Sequence, residues 1–177
     1  NNTIVENCVI NGKTFYWGYK TAKFINTTFN CPNKDYAIWT YSSPVMTFDN
    51  CTFNSSGKVI NVYTDHSAGK HDITVNFNGC TVNNSDQSLK PVLNINDSNM
   101  GDYKYVINIS GSNAVNGVDT DKITCSRLFG YGGKSGNNTG RTIVNFGNTT
   151  VWQGGKMVDA KGYHNSGVTA DGVKYNN

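Results

Sequence analysis

Residues 48–53 read Phe-Asp-Asn-Cys-Thr-Phe, and the pattern they carry decides the fold of this 177-residue chain. The pattern is an apolar residue, any residue, Asn or Gly, then Cys, Thr or Ser, any residue, and an apolar residue. It occurs six times, at residues 5–10, 24–29, 48–53, 77–82, 109–114 and 146–151. The spacing grows from 19 residues between Cys8 and Thr27 to 37 between Ser112 and Thr149, which indicates a repeat with insertions in its loops.

Each copy of the pattern has the features of a sharp corner between two β-strands. Strand alternation points Phe48 to one side of its strand and returns Cys51 and Phe53 to that side after the corner. Asn and Gly enter the left-handed backbone region at the least cost, so one of them bends a strand without ending its sheet. We therefore expect structural corners at Asn7, Asn26, Asn50, Gly79, Gly111 and Asn148. The next position is expected to point inward, at Cys8, Thr27, Cys51, Cys80, Ser112 and Thr149.

A third alternating stretch follows each pair of strands after a loop, so the repeat unit contains three strands. Residues 59–63 show the alternation plainly, with Ile60 and Val62 on one side and a polar and an aromatic residue on the other. The corresponding third strands are expected at residues 15–19, 37–41, 59–63, 92–96, 128–132 and 157–161.

The corner column and the Cys/Thr/Ser column after it resemble the right-handed parallel β-helix superfamily of pectate lyases, pectinases, phage tailspikes and bacterial surface adhesins. The resemblance covers residues 4 to 160. It implies an all-β fold, a single-stranded right-handed parallel β-helix (solenoid) of about six coils with three strands per coil, over residues 1–160. Residues 161–177 lose the pattern and are expected to form a C-terminal cap or linker. An antiparallel sandwich is the alternative, and the ordered recurrence of one corner argues against it.

The composition supports an all-β chain and excludes some classes of partner. The chain contains ten Tyr, eight Phe and three Trp, and helix-forming residues such as Glu are scarce. Charged residues are 15% of the chain and the net charge is +3, which is too mild for a nucleic-acid or membrane surface. No run approaches the ~18 apolar residues of a membrane span, so we expect no membrane insertion. The chain begins and ends inside patterned sequence, which indicates a piece of a larger protein.

The cysteines and histidines show no metal-binding pattern. Five cysteines are an odd number, so at least one has no partner within the chain. Cys8, Cys51 and Cys80 share the inward column, where a thiol or disulfide site competes with a role as small buried residues that Thr and Ser replace elsewhere. We favour the second role. Neither these spacings nor those of the three histidines match a metal site, so we expect no metal and no cofactor.

The acidic residues are scattered, and only Asp119 and Asp121 form a close pair. They lie in a long loop near Lys122 and Arg127, and such a group would suit a cation or an acid/base pair. The motifs typical of polygalacturonases are missing, and the acid cluster that pectate lyases use with calcium is not assembled. We expect no catalytic residues, with these four residues as the alternative interpretation.

Aromatic residues occupy the outward positions of the first three third strands. Aligning these strands places Trp17 beside Trp39 and Tyr19 beside Tyr41, with Tyr63 in the next coil. Rings stacked at steps of ~4.8 Å form a flat platform suited to a sugar face or a partner protein. The alternative is that the rings pack under a loop or a preceding domain, and a slip of one residue in register would also bury them.

Three classes of function therefore compete. The first is a non-catalytic binding or adhesion module of a large bacterial cell-surface protein, extracellular, that recognises a surface glycan or a host protein. Several Asn-x-Ser/Thr triplets coincide with the corners, where a glycan would disrupt packing, and this favours a bacterial source. The second is a fragment of a lyase or hydrolase acting on acidic polysaccharide. The third is a structural spacer or a fibre segment. We expect the first, with no nucleic-acid partner.

Overall fold

A computed structural model of the chain describes part of its length and shows β-strands as the regular elements of that part. The described residues are 2–17, 20–31, 36–41, 43–55, 60–63, 71–84, 93–96, 103–116, 129–131, 141–153, 156–159, 167–168 and 174–176. These ranges contain no helix, and the all-β class predicted from the sequence is confirmed. No helix long and apolar enough to cross a membrane was found in them.

Eighteen strands are present in the described ranges, and most are short. They are β1 Thr3–Glu6, β2 Val9–Asn11, β3 Thr14–Trp17, β4 Ala22–Ile25, β5 Thr28–Cys31, β6 Ile38–Tyr41, β7 Val45–Asp49, β8 Thr52–Ser55, β9 Ile60–Tyr63, β10 Ile73–Asn78, β11 Thr81–Asn84, β12 Leu93–Asn96, β13 Tyr105–Asn116, β14 Phe129–Tyr131, β15 Thr142–Gln153, β16 Lys156–Asp159, β17 Gly167–Val168 and β18 Lys174–Asn176.

Strands that are three apart in chain order, such as β1 and β4, lie beside each other. This pairing forms three parallel stacks. The first stack runs β1-β4-β7-β10-β13 and continues through β15 to β18. The second runs β2-β5-β8-β11-β13, and because β13 belongs to both, the two stacks join into one curled 13-stranded sheet. The third stack is a separate five-stranded sheet, β3-β6-β9-β12-β14. This recurrence is compatible with a solenoid.

Antiparallel pairing occurs in the described residues at the C-terminal end. We expected a sixth third strand at residues 157–161, but β16 pairs antiparallel with β15. Only residues 154–155 separate these two strands, and so short a connection makes a hairpin, whereas a parallel crossover needs a longer one. β17 and β18 are also antiparallel to each other.

The core lies inside the curled sheet and is built from inward columns of aromatic rings. Phe24 stacks on Phe48 with ring centroids 5.3 Å apart, and Phe29 stacks on Phe53 at 4.9 Å. The second of these columns continues to Phe77 of the neighbouring stack through a contact with Phe53. All five side chains are almost completely buried. Burial of each contributes roughly 1.5–3 kcal/mol, so these columns supply much of the stability of the stack.

The corners have the backbone conformation that the repeat requires. The φ angles are 54° at Asn7, 47° at Asn26 and 51° at Asn50, and 59° at Gly79 and 75° at Gly111. These are left-handed values, which Asn and Gly adopt with little strain. The sixth expected corner, Asn148, lies within β15, which pairs with β13 through a shift of register at this level.

At the second, third and fourth corners, the next residue donates a hydrogen bond to two backbone carbonyls. Thr27 Oγ1 lies 3.0 Å from the Ile25 oxygen and 3.4 Å from the Val5 oxygen of the preceding coil. Cys51 Sγ makes the same two contacts, at 3.6 Å to the Asp49 oxygen and 3.4 Å to the Phe24 oxygen. The position therefore requires a small side chain with one hydrogen to donate.

The fifth corner departs from this arrangement. We expected Ser112 to point inward, which is wrong: Ser112 is exposed and Asn113 is fully buried. Asn78 pairs with Ser110 and Thr81 with Ala114, so the fifth repeat has one more residue between its two strands than the fourth. The Asn113 Oδ1 atom accepts a hydrogen bond of 2.9 Å from the backbone N–H of Cys80 and fills the column.

Replacing Gly79 by alanine is expected to destabilise the fold. The new Cβ atom would lie 2.8 Å from Asn50 Oδ1, and a φ of 59° is costly for alanine, which lacks the polar side chain that lets Asn adopt this region. We expect Gly79→Ala to lower the free energy of unfolding by roughly 1–3 kcal/mol, measured by urea denaturation.

Gly147→Ala is the matched control. Gly147 is exposed in β15, and the nearest atom to its new Cβ is 3.9 Å away, an ordinary contact. Its free energy of unfolding should stay within about 0.5 kcal/mol of the original chain. Equal losses in the two variants would contradict the left-handed corner.

Candidate functional site

The outer face of the third stack carries a stacked aromatic pair, of which one ring is exposed and the other half-buried. Strand alternation in β6 and β9 buries Ile38, Thr40 and Ile60 against the core. The intervening positions therefore lie on the outer face of this sheet. Phe15 of β3 and Trp39 of β6 are directly paired at such positions, and the side chain of Phe15 is 57% exposed.

Four side chains form this surface, which we call the aromatic patch: Lys13, Phe15, Tyr36 and Trp39. The Phe15 and Trp39 rings are stacked, with centroids 6.1 Å apart and planes inclined by 26°. Tyr36 meets Trp39 edge to face at 5.0 Å, which holds the indole from its other side. Lys13 Nζ lies 5.0 Å from the Phe15 ring centroid, within the range of a cation–π contact. The patch is thus a partly rigid apolar surface with one positive charge beside it.

The register of the first strand differs by two residues from the one expected. Trp39 pairs with Phe15, and Tyr41 pairs with Trp17 and with Tyr63. The comparison of the repeats with one another predicts Trp17 beside Trp39. Phe15 was therefore missed as a surface residue, although its position has the same parity as Trp17 and alternation alone would have found it.

Three of the predicted binding residues are placed by their backbone only. Trp17, Tyr41 and Tyr63 form one row across β3, β6 and β9, one alternation step beyond the row of Phe15 and Trp39. Tyr19 lies outside the described residues. The predicted ligand-binding role of these residues stays a prediction.

The cysteines are a second group of reactive side chains, and three of the four described ones are inaccessible. Cys31, Cys51 and Cys80 are fully buried, whereas Cys8 in the first coil is exposed. Cys80 Sγ donates to the carbonyls of Asn78 at 3.4 Å and Phe48 at 3.5 Å. Burial raises the pKa of the Cys80 thiol far above its ordinary value. These features fit a structural donor and not a nucleophile.

The alternative catalytic group lies outside the described part of the chain. These residues are Asp119, Asp121, Lys122 and Arg127. Within the described ranges, no group of three or more His, Cys, Asp or Glu side chains is arranged to hold a metal ion.

Comparisons with protein families, with curated proteins and with solved structures each gave no match to this chain. The site is therefore interpreted from its own geometry.

Thiol labelling should distinguish the cysteines by their burial. In the folded protein at pH 7, a maleimide reagent is expected to modify Cys8 and to leave Cys31, Cys51 and Cys80 unmodified. Raising the pH to about 9 should not make Cys80 reactive, because burial raises the pKa of its thiol and keeps it protonated at that pH. Peptide mapping by mass spectrometry gives the readout, with urea-unfolded protein as the control in which all five cysteines of the chain react. Modification of Cys80 at the rate of Cys8 would contradict the buried column.

Proposed function

We propose that the three strand stacks are the faces of a right-handed parallel β-helix of about six coils. Three observations support the proposal: the parallel recurrence of every third strand, the left-handed corners, and the inward columns of rings. On this interpretation each coil contributes one strand to each face, and the outer side of each face is available to partners.

We further propose that the chain is a non-catalytic binding or adhesion module of a large bacterial cell-surface protein. Its ligand would be a glycan or a host protein, bound on the outer side of the third stack. The observation that carries the proposal is the stacked pair of Phe15 and Trp39 on that outer side.

Contact between an exposed aromatic ring and water is unfavourable in free energy, and a ligand that covers the ring removes this contact. A fully buried Phe is worth roughly 1.5–3 kcal/mol relative to an exposed one, and Phe15 leaves 57% of its surface in solvent. Trp39 is already held by Tyr36 and Phe15, so little side-chain entropy is lost when a flat ligand covers the pair. The apolar face of a sugar ring and an aromatic or aliphatic side chain of a protein both satisfy this geometry.

The charged residue of the patch and the aromatic row beside it add direction to such a contact. Lys13 places a positive charge over one ring, and the neighbouring row contains Trp17, Tyr41 and Tyr63. Aromatic residues concentrate binding energy at interfaces, so a few substitutions here should decide binding.

The double variant Phe15→Ala/Trp39→Ala tests the proposal. We expect its affinity for a ligand found on a glycan array, or by capture of serum proteins, to fall about thirtyfold, because two anchoring rings are lost. Binding is measured by surface plasmon resonance with the identified ligand.

Ile4→Ala is the matched control for loss of exposed apolar surface. Ile4 is 67% exposed on the first stack, away from the aromatic patch, so its removal should leave the affinity unchanged. A correctly folded double variant that binds as tightly as the original chain would contradict the proposal.

The lyase or hydrolase alternative has its own test. The chain is incubated with pectin, with and without calcium, and the absorbance of unsaturated products is followed. We expect no turnover, and turnover that disappears in Asp121→Asn would overturn the non-catalytic proposal.

A further inference from the structure

The outer face of the second stack carries a regular grid of threonine and asparagine side chains. The sequence Thr-x-Asn occurs at residues 28–30, 52–54 and 81–83, and these strands are in direct register. Thr28, Thr52 and Thr81 therefore form one column, and their asparagines form a second column. We call these six residues the Thr/Asn grid: Thr28, Asn30, Thr52, Asn54, Thr81 and Asn83. The asparagine column extends to Asn11 in the first coil and Asn116 in the fifth.

The asparagine column is fixed by a chain of hydrogen bonds along the stack. Each amide Nδ2 donates to the Oδ1 of the asparagine in the preceding coil. The distances are 2.9 Å from Asn30 to Asn11, 2.7 Å from Asn54 to Asn30, 2.8 Å from Asn83 to Asn54 and 2.9 Å from Asn116 to Asn83. An amide has two N–H groups and the chain uses one, so each asparagine keeps one N–H for a ligand.

The threonine column adds hydroxyl groups in the same repeat. Thr28, Thr52 and Thr81 are half-buried on the outer face, beside the asparagines. Their hydroxyls make no side-chain hydrogen bond with the described residues. Strand geometry sets the steps at ~4.8 Å between coils and ~6.6 Å along a strand between the two columns. The face is therefore a periodic array of hydrogen-bonding groups held in place before any ligand arrives.

Charge distinguishes this face from its neighbour. The two columns contain no charged residue from the first coil to the fifth. The outer face of the first stack, in contrast, carries Lys23 and Asp49 with Nζ and Oδ2 3.8 Å apart. An uncharged face gives no advantage to an acidic or basic ligand, and a flat one does not enclose a small molecule.

We propose that the Thr/Asn grid binds an extended neutral polysaccharide lying along the stack. Such a chain is rich in hydroxyl groups, carries no charge and repeats along its length, so successive sugars meet successive coils. Fixed amides and hydroxyls lose little freedom on contact, and many weak contacts in a row add up. The proposal is independent of the aromatic patch, which lies on the third stack, and holds whether or not that patch binds a ligand.

The test measures binding of the folded chain to three neutral polysaccharides: a soluble β-1,4-glucan, a β-1,3-glucan and a mannan. Oligosaccharides of increasing length from the one that binds are then titrated by calorimetry. We expect the affinity to rise about tenfold or more from the disaccharide to the hexasaccharide, because additional coils are engaged.

Two variants of the central threonine and one control locate the site. Thr52→Lys puts bulk and charge in the grid and should weaken binding at least about tenfold, whereas Thr52→Ala removes one hydroxyl and should weaken it about fivefold. The control, Thr74→Lys, makes the same change of charge on the outer face of the first stack and should bind as the original chain does.

Four outcomes would overturn the proposal. They are no binding to any of the three polysaccharides, no increase of affinity with length, equal binding by Thr52→Ala and the original chain, and equal loss in Thr52→Lys and Thr74→Lys. Loss of this binding in Phe15→Ala/Trp39→Ala, with Thr52→Ala unaffected, would place the polysaccharide on the aromatic patch instead. The two proposals can fail separately, because the variants that test the aromatic patch and those that test the Thr/Asn grid lie on different sheets.

Discussion

The interaction on which the rest of this structure depends is the two-carbonyl hydrogen bond at the corner. A left-handed residue turns the chain, and turning it directs backbone carbonyls toward the core, where water cannot reach them. The next side chain, Thr27 or Cys51, donates to one carbonyl of its own coil and to one of the preceding coil. The same bond therefore completes the corner and joins neighbouring coils. It also explains why both Thr and Cys occur in this column, since each is small and has one hydrogen to donate.

The corner constrains everything that is attached to it. Because it holds consecutive strands in fixed register, rings at the same inward position of neighbouring strands, such as Phe24 and Phe48, stack on each other. The outward positions are aligned by the same register, so whatever residue recurs there becomes a continuous column. Coil five shows that the constraint concerns hydrogen bonding and not sequence identity. Asn113 satisfies the corner with a longer amide and an extra residue, and the strands on both sides keep their pairing.

The sequence allowed the all-β class, five of the six corners and most of the inward columns to be predicted, because all three follow from short-range patterns. It failed where loops set the geometry. Trp17 was expected beside Trp39, two residues later than the observed partner, Phe15. The connection before this strand is short, because residues 12–13 separate β2 from β3, whereas residues 32–37 separate β5 from β6. Ser112 was expected to point inward because the sequence pattern does not reveal the extra residue in the fifth repeat. The sixth third strand was expected to be parallel, but the short connection to β16 makes a hairpin. The asparagine columns were not predicted on the sheets, since asparagine is typical of turns.

The asparagine columns also show how one scaffold can present unlike surfaces. Inside the sheet, apolar burial and the corner bond leave little choice of residue. Outside, alternation leaves each stack free to differ: rings occupy the third stack, an uncharged amide column the second, and an ion pair with a further amide column the first. In every hydrogen bond of these columns, a side-chain amide of a later coil donates to one of an earlier coil, as Asn145 does to Asn108. Their dipoles therefore align along the stack. A ligand lying along the stack therefore meets a surface with a defined direction.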